Sequence, residues 1–117
     1  MNTRERGKWG ERLALEYLNK KNYNTVATGW RSRFGEIDLI VKNQKYLVFV
    51  EVKLRKNAEF AYAREYVGKT KQNKIRSTAA LWLASHQTKL QPRFDVIEIY
   101  AKDEASKPEV IHIENAF

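Results

Sequence analysis

Apolar and polar positions alternate most densely between Gly35 and Arg55, in the stretch GEIDLIVKNQKYLVFVEVKLR. Two apolar runs flank a polar break at Asn43-Gln44-Lys45, a pattern that predicts two strands joined as a hairpin. The second run, Tyr46 to Leu54, is apolar on both faces except at Glu51 and Lys53, as in a central strand covered on both sides. Charges at Asp38, Glu51 and Lys53 inside such runs are unfavourable unless paired or metal-bound. Glu51 and Lys53 share a face, because strand side chains alternate. A two-residue turn at Asn43-Gln44 sets Lys42 against Lys45, places Asp38 opposite Phe49 and leaves it diagonal to Glu51. Diagonal neighbours lie roughly 7–8 Å apart or less, so the two carboxylates could converge on one ion. A three-residue turn would move Asp38 to the other face, so this arrangement requires an even-length turn.

Upstream, Trp9, Leu13 and Tyr17, widened by Ala14 and Leu18, predict a helix over Thr3 to Lys20 with Thr3 as N-cap. Glu11 falls at the edge of that apolar arc. From there it either looks across the helix–sheet seam toward the hairpin or pairs in solvent. Tyr23 to Arg33 reads as a strand in which Gly29 marks a bulge or close approach. Arg31-Ser32-Arg33-Phe34-Gly35 reads as a tight turn that brings Arg31 and Arg33 near Asp38. Arg55 to Gly68 is irregular and reads as a loop, with one helical turn between Ala58 and Tyr66. Lys69 to His86 is the second helix, with Ile75, Ala79, Trp82 and Leu83 on its apolar face. A strand follows Pro92, over Arg93 to Tyr100, in which Asp95 is either a supporting acid or a partner of Arg93. Val110 to Ile113 is a short edge strand, and its His112 reads as structural. The expectation is one mixed domain over residues 1–117, with a mostly β core sheet and helices on both sides.

Composition narrows the chemistry. With no cysteine and only two histidines, disulfides, zinc-thiolate sites and thiol catalysis are excluded, and any metal would be held by oxygen, favouring Mg²⁺ or Mn²⁺. The start MNTRERGKWGERLA has no apolar signal core and no run spans a bilayer, so a cytoplasmic protein is expected. The net charge of +8 points to a polyanionic partner, most often nucleic acid. From Glu51 to Arg76 eight bases stand against three acids, several of them (Lys69, Lys71, Lys74) in the first turns of the second helix. Cations there oppose the helix dipole, and a bound phosphate backbone would favour them.

A carboxylate on one strand and Glu-x-Lys on the next suffice for phosphodiester hydrolysis. Asp38 and Glu51 would ligate a divalent ion, with the Val52 carbonyl as a further oxygen and Glu11 completing the shell. Lys53 would orient the attacking water or stabilise charge on phosphorus. Arg31, Arg33, Arg55, Lys69, Lys71 and Lys74 would hold flanking phosphates. The bland counterpart is an Asp38–Lys53 or Glu51–Lys53 ion pair in a partly buried sheet.

GERLALEYL with Glu11, GEIDLI, VFVEVKLR, the Lys-rich helix, RFDVIEI and the closing ENAF together resemble the YraN family of small uncharacterised bacterial proteins, over nearly the whole chain. That family looks like the PD-(D/E)xK restriction-endonuclease-like superfamily, especially the archaeal Holliday junction resolvases. The resemblance implies an α/β, restriction-endonuclease-like fold with a central mixed sheet of four to five strands flanked by helices. It implies a metal site in which Glu11 is the helix-borne acid, Asp38 the motif acid and Glu51 with Lys53 the E-x-K pair. It also implies homodimers suited to a two-fold substrate. Ile37 replaces the proline of the superfamily's name, and Ala61 stands where a loop glycine is expected.

Three functions compete. The first is a Mg²⁺- or Mn²⁺-dependent endonuclease acting on DNA, with selectivity for branched or junction DNA as its extension and RNA left open. The second is a non-catalytic nucleic-acid-binding accessory in DNA uptake, repair or recombination. The third is an interaction protein whose basic face meets an acidic partner.

Overall fold

The computed structural model describes residues 1–56 and 67–117. The elements run α1 (Thr3–Lys20), β1 (Asn24–Ser32), β2 (Gly35–Lys42), β3 (Tyr46–Arg55), α2 (Lys69–Ser85), β4 (Gln91–Tyr100) and β5 (Glu109–Ile113). The five described strands form one sheet in sequence order. All neighbours are antiparallel except β3 and β4, which are parallel and joined by the crossover containing α2. This mixed α/β architecture agrees with the expected sheet and is compatible with a restriction-endonuclease-like fold. No described helix is long and apolar enough to cross a membrane.

The helix α1 is capped by Asn2 rather than Thr3. The Asn2 side chain accepts from the Glu5 N–H at 2.8 Å, and the Glu5 carboxylate accepts the Asn2 N–H at 3.1 Å, a reciprocal capping box. Its far end closes at Lys21, and Asn22 turns the chain through a left-handed φ of 69° into β1.

The two described helices cover opposite faces of the sheet. On one, Trp9, Ala14 and Leu18 of α1 pack with Leu39, Val41, Val48, Val50, Ile97 and Ile99. On the other, Ile75, Ala79 and Trp82 of α2 pack with Ile40, Leu47, Phe49 and Val96. Strands β2, β3 and β4 are therefore apolar on both sides, the reason their sequence reads as nearly continuous hydrophobic runs. At Gly10, a Cβ would stand 3.3 Å from Leu54 Cβ. The missing side chain lets α1 lie close on the end of β3, and Glu11 is the next residue.

Several boundaries differ from the sequence reading. The hairpin register is Lys42 with Leu47 and Val41 with Val48, and Asn43 N donates to Tyr46 O at 3.0 Å. The turn residues are thus Gln44-Lys45, not Asn43-Gln44. Asn43 decides this: its side chain accepts the N–H groups of Lys45 and Tyr46 at 2.9 and 2.7 Å and caps the turn from one position earlier. The turn remains even in length. β1 extends to Ser32, leaving Arg33-Phe34 as its turn, α2 ends at Ser85, and β4 begins at Gln91, with Pro92 at its start, where a missing N–H is tolerated. The expected loop and helical turn, and Ala61, fall largely or wholly outside the described residues.

Candidate active site

Asp38 occupies a break in the alternation of β2. Glu36 lines a groove with α1, Ile37 packs on the α2 side, Leu39 on the α1 side and Ile40 on the α2 side again. Facing is therefore reset across Asp38. The neighbouring strand resets at the same level. Register pairs Thr28 with Leu39 and Trp30 with Ile37, which leaves Gly29, at φ +58°, opposite Asp38. A residue with a side chain is disfavoured in that conformation. The sequence-based geometry, which put Asp38 on one face, opposite Phe49 and diagonal to Glu51, is corrected here. Phe49 pairs with Ile40, and the β2–β3 ladder ends at Leu39 with Val50.

Beyond that last pair the Asp38 side chain takes over the bonding between the strands. Its Oδ2 accepts the Val52 N–H at 2.9 Å. Glu51, 5% exposed, precedes Val52, and its carboxylate acts on Asp38. Burial first, then the Glu51 charge, push the Asp38 carboxyl up to about 8, against the lowering effect of the Val52 N–H. Two acids share one partly desolvated place.

The Glu51 carboxylate also faces cations. Its Oε2 lies 3.7 Å from Lys53 Nζ and 3.4 Å from Lys71 Nζ, so the Glu51–Lys53 ion pair of the bland reading is present. Lys71 comes from the first turn of α2, where no acid is found. A buried carboxylate thus explains one of the cations that oppose the helix dipole.

Glu11 approaches from the α1 side. It is half-buried, and its pKa is raised by burial, then by Glu36, with Glu51 adding and Lys8 opposing. Its charge also reaches Asp38. It thus lies at the seam between α1 and the sheet, beside Glu36. Glu11, Glu36, Gly29 and Arg31 line a groove of about 730 Å³ between α1 and β1–β2.

Glu51 is the common point: Lys53 and Lys71 pair with it, and its charge acts on Asp38 and on Glu11. The other basic candidates are distributed differently. Arg31 is exposed and turned to Glu36 at 3.7 Å, in the α1-side groove. Arg33 is exposed at the β1–β2 turn and Lys74 stands along α2 beside it, while Lys69 opens α2 in solvent. Arg55 is half-buried, and its Nε is buried without a hydrogen-bond partner among the described residues. An unmet buried donor is unfavourable, and an oxyanion ligand would satisfy it.

Among the described residues, no three His, Asp or Glu side chains group closely enough to form a ready-made metal cage. The donor chemistry nevertheless fits a hard divalent ion at Asp38 and Glu51, since two adjoining carboxylates are oxygen donors whose mutual repulsion a cation would relieve. The Val52 carbonyl lies on the same strand edge as its N–H, toward Asp38, and is a further oxygen there.

Two acids escaped the sequence reading as site residues. Glu36 lies two positions from Asp38, in the groove with Glu11. Glu98, 7% exposed, pairs in parallel register with Lys53 and accepts from Tyr100 Oη at 3.2 Å. A buried glutamate in the apolar run RFDVIEIY was the available signal. Asp95, whose role the sequence left open, is a structural partner of Arg93. Arg93 Nε and Nη2 donate to it at 2.9 and 2.8 Å, and His112 Nε2 lies 2.6 Å away. Burial raises Asp95, but the hydrogen bonds from His112, Arg93 and the Asn115 N–H outweigh it and hold its pKa below the usual value.

The family model described as uncharacterised protein family UPF0102 matches residues 10–99. A UPF0102 protein of Caldicellulosiruptor bescii is 40% identical over 100% of both chains. One from Caldanaerobacter subterraneus subsp. tengcongensis is 41% identical over 100% of this chain and 98% of its own. One from Clostridioides difficile is 38% identical over 100% of both.

Proposed function

The chain belongs to the UPF0102 family, and we propose that it is a divalent-metal-dependent endonuclease that hydrolyses DNA phosphodiester bonds, with selectivity for branched DNA. One observation carries the reading: the Asp38–Glu51 pair, in which burial and the Glu51 charge push Asp38 up to about 8 while Lys53 and Lys71 stand against Glu51. Such a shift at a convergence of acids and lysines is common at catalytic sites.

Asp38 and Glu51, with the Val52 carbonyl, would hold Mg²⁺ or Mn²⁺, and Glu11 would add its charge from α1. When bound, the ion supplies Lewis-acid polarisation of the phosphoryl oxygen and a more acidic water. Asp38 would be held deprotonated as a ligand, its proton passing to solvent, and Glu51 would keep Lys53 directed at the reacting centre. Lys53 holds the attacking water and balances the charge that develops on phosphorus. Arg33, Lys69, Lys71 and Lys74 track the phosphate backbone along α2. Arg55 offers its unmet Nε donor to a phosphate oxygen. Arg31, turned to Glu36, belongs to the α1 side of the substrate path. A DNA substrate implies a cytoplasmic location, and a two-fold branched substrate would suit a homodimer.

A second reading has its own observation. Lys53 and Lys71 each pair with Glu51, which a non-catalytic nucleic-acid-binding accessory would equally use to fix a basic face. A labelled panel of linear duplex, single strand, flap and four-way junction, incubated with Mg²⁺, Mn²⁺ or EDTA, separates the two. Metal-dependent cutting lost in both Asp38→Asn and Lys53→Ala is expected of the nuclease. Binding without cutting under every metal, unchanged in both variants, leaves the accessory.

A further inference from the structure

We propose that Phe34 is a wedge that stacks on a nucleobase at a DNA branch point and sets the distance from that branch to the cut. The proposal rests on the reading of the site as one that acts on DNA. Phe34 is a large apolar side chain left 40% exposed at the tip of the β1–β2 turn. An aromatic in water gains from burial, and an unpaired base offers a face of matching size.

The tip is rigidly mounted. Phe34 N donates to Ser32 Oγ at 3.0 Å, and Ser32 Oγ lies 3.0 Å from Thr78 Oγ1 of α2. A Cβ on Gly35 would sit 3.7 Å from Lys74 Cβ, so the turn packs directly on the helix. A wedge needs such support, because a mobile aromatic would lose ordering entropy on insertion.

Its surroundings are basic and polar. The Arg33 guanidinium lies 4.8 Å from the Phe34 ring centroid. A groove of about 390 Å³ runs from Arg33 and Phe34 along Thr70, Asn73, Lys74 and Ser77 of α2. Lys71, 3.4 Å from Glu51, follows Thr70 in the first turn of the same helix. Aromatic tip, phosphate-binding rail and carboxylate pair therefore follow one another on the α2 side, and the net charge of +8 complements a polyanion. From Phe34 to Asp38 along β2 is roughly 13 Å at strand rise. At roughly 3.4 Å per nucleotide step, the cut falls about three to four nucleotides from the wedged base.

The test measures binding in EDTA to a forked duplex and a linear duplex of equal length, with 2-aminopurine at the fork, for the wild type, Phe34→Ala and Phe34→Trp. Thermal melting first checks that the variants fold, as expected at an exposed position. The wild type should prefer the fork and change the 2-aminopurine fluorescence saturably. Phe34→Ala should lose about tenfold or more in fork affinity and far less on linear duplex, and Phe34→Trp should retain both. An unaltered fork preference in Phe34→Ala overturns the wedge, as does a wild type that binds neither DNA or leaves the fluorescence unchanged. Cleavage in Mg²⁺ is scored separately. Cutting with a silent fluorophore removes the wedge and leaves the nuclease, whereas a responsive fluorophore without cutting keeps the wedge and removes the nuclease.

Discussion

Asp38 Oδ2 accepts the Val52 N–H at 2.9 Å just beyond the last β2–β3 backbone pair, Leu39 with Val50. One carboxylate oxygen thus replaces a ladder carbonyl and keeps the two strands linked where their pairing stops. That fixes the acid beside Glu51 without help from a rotamer on either sheet face.

The raised Asp38 pKa has a sign that can be measured. The folded protein holds the proton up to about 8, whereas the unfolded chain releases it near 3.8. The folded state therefore binds more protons between those values, and its stability falls as pH rises through that window. Chemical denaturation in EDTA from pH 4 to 9 should show the fall, and Asp38→Asn should flatten it. A wild-type profile already flat there would contradict the buried acid pair.

Metal should act on the same proton. Mn²⁺ is expected to raise the melting temperature with log concentration, the stabilisation reaching about 2.7 kcal/mol at a hundredfold excess over Kd. Binding at pH 7 should release close to one proton, read as a dependence of the calorimetric enthalpy on buffer ionisation heat. Asp38→Asn and Glu51→Gln should remove both effects. Equal stabilisation of all three proteins would place the ion elsewhere.

Gly29→Ala tests the paired break in β1 and β2. The new Cβ would sit at φ +58°, 3.2 Å from Glu36 Oε1. A loss of about 1–2 kcal/mol in urea unfolding is expected from the backbone alone. No loss would show that the break does not depend on glycine.

The Asp95–His112–Arg93 network should matter for stability and not for metal binding. Asp95 is fully buried, and its removal strands the Arg93 guanidinium, which also donates to Tyr23 Oη at 2.7 Å. Asp95→Ala should cost about 3–5 kcal/mol, as for other broken buried pairs. His112→Ala should cost less, since the Arg93 bonds to Asp95 survive. Mn²⁺ binding to folded His112→Ala should match wild type.

Among the described residues, the sequence by itself determined the element types and their order. Apolar runs at period two, the helical stripe of Trp9, Leu13 and Tyr17, and a +8 chain without cysteine are local or additive properties, readable without coordinates. It also marked Asp38, Glu51 and Lys53, because a charge within an apolar run is anomalous wherever the strand lies. Tertiary structure decided how those charges meet. The hairpin register depended on the Asn43 side chain capping its own turn, and a one-position shift in the turn moved Asp38 by two residues against β3. The break at Gly29 and Asp38 is a property of two strands together, invisible to alternation counted along either one. Lys71 reaches Glu51 only because the crossover returns α2 over that end of β3. Glu11 and Glu36 face one groove only because Gly10 lets α1 seat closely on Leu54. Long-range pairing of this kind is set by packing and desolvation across the whole sheet, which no single segment encodes.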